Sequence, residues 1–114
     1  MTIEALWAVN FSSSPIGAFG FGVAVFETGR IFGGDSFYYY LGDYAVDGTT
    51  VRGNVDVIHY SGPPSNIFGP IERLSLRYEG QMRNDDTMQA TGVDPTNPQR
   101  RRVVMLFRRL ANLP

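Results

Sequence analysis

Regular alternation of apolar and polar side chains is the feature that most constrains this chain. In residues 50–60, Val55 and Val57 fall on one side, and Arg52 and Asp56 fall on the other. A period of two residues is that of a β-strand and does not match the 3.6-residue period of a helix. The same alternation returns along most of the 114 residues. The pattern therefore predicts an all-β protein.

Turn residues divide this pattern into about eight short strands. Glycines in the turns at 27–30 and 47–48 suit the positive φ of hairpins. Serines and a proline at 12–15 predict that the first strand ends there. The last segment also fits a helix, but its paired valines and its period favour a strand. The predicted strands cover residues 4–11, 19–25, 31–36, 37–42, 50–60, 73–82, 88–92 and 101–110.

Short strands in succession must bury their apolar face against one another. They can stack as a sandwich or close into a barrel. Hairpin-length turns and glycines that permit coiling favour an eight-stranded antiparallel up-and-down barrel, as a single domain over residues 1–114. The side chains predicted to share its interior are Val55, Val57, Leu74, Leu76, Tyr78, Val103 and Met105.

The second predicted strand has bulky side chains on one face and almost none on the other. Phe21 and Val23 oppose Gly20, Gly22 and Ala24. A face of small residues allows a neighbouring backbone to come close, or the strand to coil sharply as barrels require.

Composition removes several functional classes. The chain has no cysteine and one histidine, so it offers no disulfide, no thiolate metal site and no cysteine nucleophile. Its formal net charge of -1 argues against direct binding of nucleic acid. The sequence shows no signal-peptide pattern and no apolar run of membrane-spanning length, which predicts a cytoplasmic protein without a membrane partner. We expect no metal and no cofactor.

Charge is unevenly distributed along the chain. Residues 1–57 contain two arginines and six acidic residues, whereas residues 58–114 contain eight arginines and five acidic residues. Such asymmetry can serve self-association or partner docking, or it can disappear if both halves interleave in one barrel.

Catalytic motifs are missing from the sequence. His59 is the one possible imidazole base, but it continues the apolar face of Val55 and Val57. No Gly-x-Ser-x-Gly nucleophile elbow accompanies it. We therefore interpret His59 as a residue of the barrel wall and expect that the protein is not an enzyme.

Three consecutive tyrosines alternate between the faces of one strand. Tyr38 and Tyr40 share a face, and Tyr39 takes the other. Inside a barrel, tyrosines give a ligand cavity an apolar wall with hydroxyl groups, and outside they suit a protein interface. The predicted cavity residues are Trp7, Phe21, Tyr38, Tyr40, Val57, His59 and Tyr78.

Several motifs resemble the GrlR-like negative regulators of type III secretion. The resemblance covers roughly the first half to two thirds of the chain, in order and with similar spacing. The motifs are LWAVNF (6–11), FGV (21–23), GRIFGGD (29–35), YYYLGDY (38–44) and VDVIHY (55–60).

This resemblance implies a small lipocalin-like β-barrel that forms a homodimer and contains an apolar cavity. It also implies repression by sequestration of a transcriptional activator, through an acidic run that follows the tyrosine–glycine strand. The equivalent positions here are 43–48, where only Asp43 and Asp47 are acidic. The residues predicted to bind a partner are Asp43, Tyr44, Asp47 and Tyr39.

The sequence thus predicts a non-enzymatic regulatory protein that acts by binding another protein. The alternative is a carrier or sensor of a small apolar ligand in the barrel cavity.

Overall fold

Strands make up all the regular secondary structure in the described part of the chain. The computed structural model describes residues 2–14, 19–64, 70–97 and 102–114. The strands are β1 (Ala5–Ser14), β2 (Phe19–Glu27), β3 (Arg30–Gly34), β4 (Tyr38–Asp43), β5 (Ala45–Asp47), β6 (Thr50–His59), β7 (Arg73–Met82), β8 (Thr87–Val93) and β9 (Arg102–Ala111).

Every strand is antiparallel to its neighbours, and the sheet closes on itself. The strand order is β4-β3-β2-β1-β9-β8-β7-β6-β5, and β4 also pairs with β6. Eight strands therefore form a closed up-and-down barrel, the architecture of lipocalins. The short β5 pairs with β6 in the same register as β4 and prolongs β4 beyond Tyr44. The predicted barrel is confirmed, and the sandwich is excluded.

A tight turn joins β2 and β3 through two residues with positive φ. Thr28 has a φ of 54° and Gly29 a φ of 79°. Positive φ at both central residues is characteristic of the type I′ turn, which matches the twist of the paired strands. The Thr28 N–H also donates to the Glu4 carboxylate at 2.8 Å. The predicted hairpin at 27–30 is confirmed.

The barrel interior contains the seven side chains that the sequence predicts there. On β7, Leu74, Leu76 and Tyr78 are buried between exposed neighbours. On β9, Val103 and Met105 are buried. The two β6 valines of this set are half-buried and pack against the same core.

The small face of β2 points inward and makes room for two aromatic side chains. A Cβ atom on Gly20 would lie 2.6 Å from the Phe11 ring, and one on Gly22 would lie 2.6 Å from the Tyr40 hydroxyl oxygen. At Gly20 only the Phe11 side chain comes close, whereas at Gly22 the Tyr40 side chain is joined by the backbone carbonyl oxygen of Gly34 at 3.0 Å. The bulky face of β2 points outward, and Phe21 is 64% exposed.

The first strand is longer than the sequence predicts. β1 continues through Ser14, where it pairs with Arg102 of β9, instead of ending before residue 12. Pairing with β9 satisfies the backbone of these serines, and this outweighs their preference for turns. Pro15, which was part of the predicted turn, lies outside the described residues.

The acidic and basic halves of the chain occupy separate sectors of the barrel. Strands β1–β6 are contiguous in the sheet, as are β7–β9, and the two groups meet at the β1–β9 and β6–β7 pairings. Across the β6–β7 boundary, Arg73 lies 3.1 Å from Asp56 and Arg52 lies 3.7 Å from Glu79. The two halves therefore do not interleave.

Candidate functional site

A cavity of about 360 Å³ occupies the barrel interior. This volume is in the range of small-molecule sites, which are mainly apolar with a few placed polar groups. The wall has that composition, because its polar side chains are Asp35, Ser36 and three tyrosines. The lining residues are Val9, Phe11, Gly20, Phe21, Ala24, Phe26, Ile31, Asp35, Ser36, Phe37, Tyr38, Tyr40, Val55, Val57, Leu74, Leu76, Tyr78, Val103, Met105 and Phe107.

The two ends of the barrel differ in what occupies them. The end at which β1 begins is here called the Trp7 end, and the end with the β3–β4 turn is called the Asp35 end. Trp7 is fully buried. Asp35 is half-buried and lines the cavity.

Aromatic rings fill the Trp7 end. The Phe26 ring has its centroid 6.2 Å from that of Trp7, 5.7 Å from that of Phe107 and 5.3 Å from that of Tyr44. Phe26 and Phe107 line the cavity, whereas Trp7 does not. The two phenylalanines therefore form the floor of the cavity, and Trp7 packs behind them.

Arg109 of β9 holds the amino-terminal segment in place next to this floor, through contacts with Trp7 and Thr2. Its guanidinium lies 4.8 Å from the Trp7 ring centroid, within cation–π distance. The same group donates to the carbonyl oxygens of Thr2 at 2.7 Å and Asp85 at 2.9 Å. The Trp7 indole N–H donates to the Ile3 carbonyl at 2.9 Å. These bonds join three separate parts of the chain.

At the other end, the Asp35 carboxylate is fixed by three donors. Its Oδ1 accepts the backbone N–H groups of Phe37 at 2.9 Å and Tyr38 at 2.8 Å. This local pattern stabilises the turn between β3 and β4. Its Oδ2 accepts the Tyr40 hydroxyl at 2.5 Å. The Asp35 carbonyl oxygen also accepts the Tyr60 hydroxyl at 2.8 Å.

The other two tyrosines of the wall donate to backbone carbonyl oxygens. Tyr38 donates to Ile71, and Tyr78 donates to Asp43 at 2.7 Å. Tyr78 thereby links β7 to the end of β4 over β6, the strand that lies between them. All three hydroxyl protons of the cavity tyrosines are therefore used within the protein.

Burial keeps two of these hydroxyls neutral. Burial, followed by the hydrogen bond to Asp35 and the charge of that carboxylate, raises the pKa of Tyr40 far above its ordinary value. Burial, followed by the charge of Asp43, raises the pKa of Tyr78 in the same way.

Five of the side chains predicted for the cavity line it, namely Phe21, Tyr38, Tyr40, Val57 and Tyr78. Phe21 points outward and reaches the cavity only at its rim, as its exposure shows. Trp7 is separated from the cavity by the phenylalanine floor. The alternation that places Trp7 inside the barrel does not fix its depth along the barrel axis.

The seventh predicted residue, His59, lies behind the cavity wall. Its Nδ1 is 3.1 Å from the Glu72 carboxylate, and its Nε2 is 2.6 Å from the Gly62 carbonyl oxygen. Its ring packs edge-on against Tyr38, with centroids 5.6 Å apart. The ring is thus held by neighbours at the Asp35 end of the barrel and does not line the cavity.

The predicted partner-binding residues do not share one environment. Tyr39 points outward from β4 and is 38% exposed, and Asp43 and Asp47 are exposed. Tyr44 is half-buried, and its ring packs against Phe26 of the floor. Tyr44 is therefore a packing residue, whereas the other three lie on the surface.

Tyr39 belongs to an apolar patch on the outside of the barrel. Cross-strand pairs place Val25, Phe32 and Leu41 in one row. A second row contains Tyr39 and Ile58 as direct partners. We call this patch the outer apolar face; its members are Val23, Val25, Phe32, Tyr39, Leu41 and Ile58, none of them charged.

Sequence reasoning missed two residues that define the ends of the cavity. Asp35 follows a glycine pair and precedes the tyrosine run, a position at which a turn is expected, but nothing local shows that its carboxylate faces the interior. Arg109 reaches Trp7 only because the barrel closes between β1 and β9. No short-range signal could have shown that Arg109 contacts Trp7.

The described ranges contain neither a cluster of metal-ligating side chains nor a helix fit to span a membrane. No group of three or more His, Asp or Glu side chains there could hold a metal ion. No helix in the same ranges has the length and apolarity to cross a membrane.

The fold and the cavity define a class, that of small up-and-down β-barrels with an apolar internal cavity. No protein family matches the sequence, and no curated protein matches it either. The resemblance to secretion regulators rests on the motifs quoted above.

Proposed function

We propose that the protein is a non-enzymatic cytoplasmic binding protein that holds one small, mainly apolar ligand inside the barrel. The observation that carries this proposal is the apolar cavity of about 360 Å³. An eight-stranded barrel is just wide enough either to be filled by its own side chains or to hold one small ligand.

The small inward-facing residues of β2 explain why the protein's own side chains do not fill the cavity. Gly20, Gly22 and Ala24 point inward, and Phe11 and Tyr40 occupy only part of the room that they leave. Burying a ligand against the remaining apolar wall contributes about 25 cal/mol for each Å² removed from water. The bonds of Arg109 hold the floor at the Trp7 end in place, so the cavity is a preformed site.

Titration with N-phenyl-1-naphthylamine, a neutral apolar fluorophore, tests this function. We expect saturable binding of one probe per barrel. A Val57→Trp variant places an indole in the cavity and should weaken binding by more than tenfold. A Leu106→Trp variant adds the same ring to the exposed face of β9 and should bind like the wild type.

Absence of saturable binding, or equal loss in both tryptophan variants, contradicts the proposal. Circular dichroism of both variants separates a filled cavity from a lost fold.

A protein-binding role is the second candidate, and the outer apolar face is the observation that favours it. Contiguous exposed apolar residues on a small protein mark interfaces. The occupant we propose is a second copy of this chain, because an uncharged apolar face is complementary to its own copy and not to a strongly charged partner. The resemblance implies a homodimer as well.

Sedimentation equilibrium tests this second candidate. We expect a wild-type dimer that Leu41→Asp weakens by about 30-fold or more, since a carboxylate would be desolvated at the interface. Leu110→Asp, an exposed site outside the face, should leave the dimer intact. A wild-type monomer overturns the dimer. Sequestration of an activator through Tyr39, Asp43 and Asp47 then remains as the protein-binding hypothesis.

A further inference from the structure

The charge in the cavity wall has one sign. Among the lining residues that the structure describes, Asp35 is the only one with an ionisable acidic or basic side chain other than tyrosine. No arginine or histidine is among them. A ligand in the cavity therefore contacts a carboxylate, and none of the described lining residues has a cationic side chain.

The Asp35 carboxylate can accept a further hydrogen bond beyond those that the turn requires. The turn requires Oδ1 alone, because that oxygen accepts both backbone N–H groups of Phe37 and Tyr38. Oδ2 accepts one donor, the Tyr40 hydroxyl, from inside the barrel. A carboxylate oxygen has two lone pairs, so Oδ2 can accept a second donor from the cavity.

The tyrosine hydroxyls point to the same kind of ligand. The protons of Tyr40 and Tyr78 are donated to Asp35 and to the Asp43 carbonyl, and that of Tyr38 to Ile71. These groups can offer a ligand only oxygen lone pairs. Ser36, the remaining hydroxyl of the lining, is exposed at the rim.

Aromatic residues close to Asp35 in the sequence also line the cavity. Phe37, Tyr38 and Tyr40 line the cavity within five positions of Asp35. Aromatic faces attract cations, and the attraction is stronger where water is excluded. Such surroundings favour an ammonium group over an anion.

We propose that the ligand is a small organic amine, bound with its ammonium group on Asp35 and its apolar part in the barrel. This inference rests on the proposed ligand-binding function and names the ligand class. A fatty acid in the same pose would place its carboxylate next to the Asp35 carboxylate and the Tyr40 hydroxyl oxygen, where repulsion opposes binding.

Three ligands with one alkyl chain test the inference: octylamine, octanol and octanoate, each displacing N-phenyl-1-naphthylamine. We expect octylamine to bind about tenfold more tightly than octanol, as for a hydrogen bond to a charged group, and octanoate to bind most weakly. Asp35→Asn keeps the oxygen that the turn requires and removes the charge. It should lower the affinity for octylamine to that for octanol and leave octanol unchanged.

Asp43→Asn is the matched control. Asp43 is an exposed carboxylate at the Trp7 end, and its Oδ1 accepts the Asn54 N–H, which an asparagine can also do. The control removes the same charge from the protein and should leave all three affinities unchanged.

The outcomes separate this inference from the function on which it rests. If the fluorophore and octanol bind but octylamine shows no preference over octanoate, the amine inference is overturned and the ligand-binding function stands. If nothing binds, both fall. Equal loss of octylamine binding in the Asp35 and Asp43 variants also overturns the inference, since net charge alone would explain it. Should Asp35→Asn not fold, the wild-type order of the three ligands decides.

Discussion

The Trp7 end and the Asp35 end are built from the same strands but use their polar groups differently. At the Trp7 end, the Arg109 guanidinium and the Trp7 indole N–H bind carbonyl oxygens of the protein, and the rings of Phe26 and Phe107 fill the space beside them. At the Asp35 end, the polar groups line a cavity. One end therefore closes the barrel, whereas the other presents acceptor oxygens to the interior.

A small barrel can thus combine stability with a binding site by assigning them to opposite ends. A preformed site requires a rigid scaffold, because ordering a flexible one would reduce the affinity. The aromatic floor and its arginine supply rigidity at a distance from the carboxylate. Substitutions at the two ends should therefore differ in effect, with stability affected at the Trp7 end and ligand preference at the Asp35 end.

The largest expected effect is that of Trp7→Ala. Removing a fully buried indole should lower the free energy of unfolding by about 3–5 kcal/mol. Leu76→Ala, at the cavity wall, should lower it by about 2 kcal/mol, because that side chain already borders a cavity. Urea unfolding of the two variants measures the difference, and an equal or larger loss at Leu76 would show that the floor is not the stabilising end.

Alkaline pH should produce the next largest effect. Tyr40 and Tyr78 have pKa values raised above the ordinary 10.0. Below pH 10 both the folded and the unfolded states keep these protons, so these two hydroxyls add no pH dependence to the stability. Above pH 10 the unfolded state loses protons that the folded state retains, so stability falls as the pH rises, by about 1.4 kcal/mol for each tyrosine at one pH unit above 10.

The chain suits this experiment because it contains no lysine, so that no lysine titrates in the same range. Urea unfolding at pH 9 and pH 11 measures the loss. Tyr40→Phe tests the Asp35 end, and Tyr78→Phe tests the wall that leads to Asp43; each should remove about half of the loss. A stability that is flat to pH 11 contradicts the burial of both hydroxyls.

A smaller effect is expected from Arg109→Met. The variant keeps the length of the side chain but loses the cation–π contact and the bonds to Thr2 and Asp85, which together should lower the free energy of unfolding by about 1–2 kcal/mol. Arg108→Met, at the exposed neighbouring position, is the control and should change stability by less than about 0.5 kcal/mol. Equal losses would mean that Arg109 acts as a surface charge only.

The alternation of side chains along a strand allowed the sequence to predict which residues share a face, but not how deep in the barrel they lie. It placed Tyr38 and Tyr40 on one face of a strand and Tyr39 on the other, because successive side chains of a strand point to opposite faces. It could not place Trp7 below the cavity rather than in its wall. The depth of a side chain in a barrel depends on the stagger between strands, which the pairing of β1 with β9 fixes.

Contacts between distant positions were also beyond the sequence. Arg109 and Trp7 lie near opposite ends of the chain and meet only after closure. The orientation of the Asp35 carboxylate depends on Tyr40, and Tyr40 has room only because Gly22 lacks a side chain. The composition of the site is thus readable from the sequence, whereas its geometry follows from the closed sheet.

The most direct test of the account is an amide and indole N–H NMR titration with octylamine. We expect saturable shifts that are largest for the N–H groups of Phe37 and Tyr38, because both donate to the carboxylate that would receive the ammonium group. The Trp7 indole N–H, bonded to Ile3 behind the floor, should not move. Shifts confined to the outer apolar face, or largest at Trp7, would contradict a ligand site at the Asp35 end of the barrel.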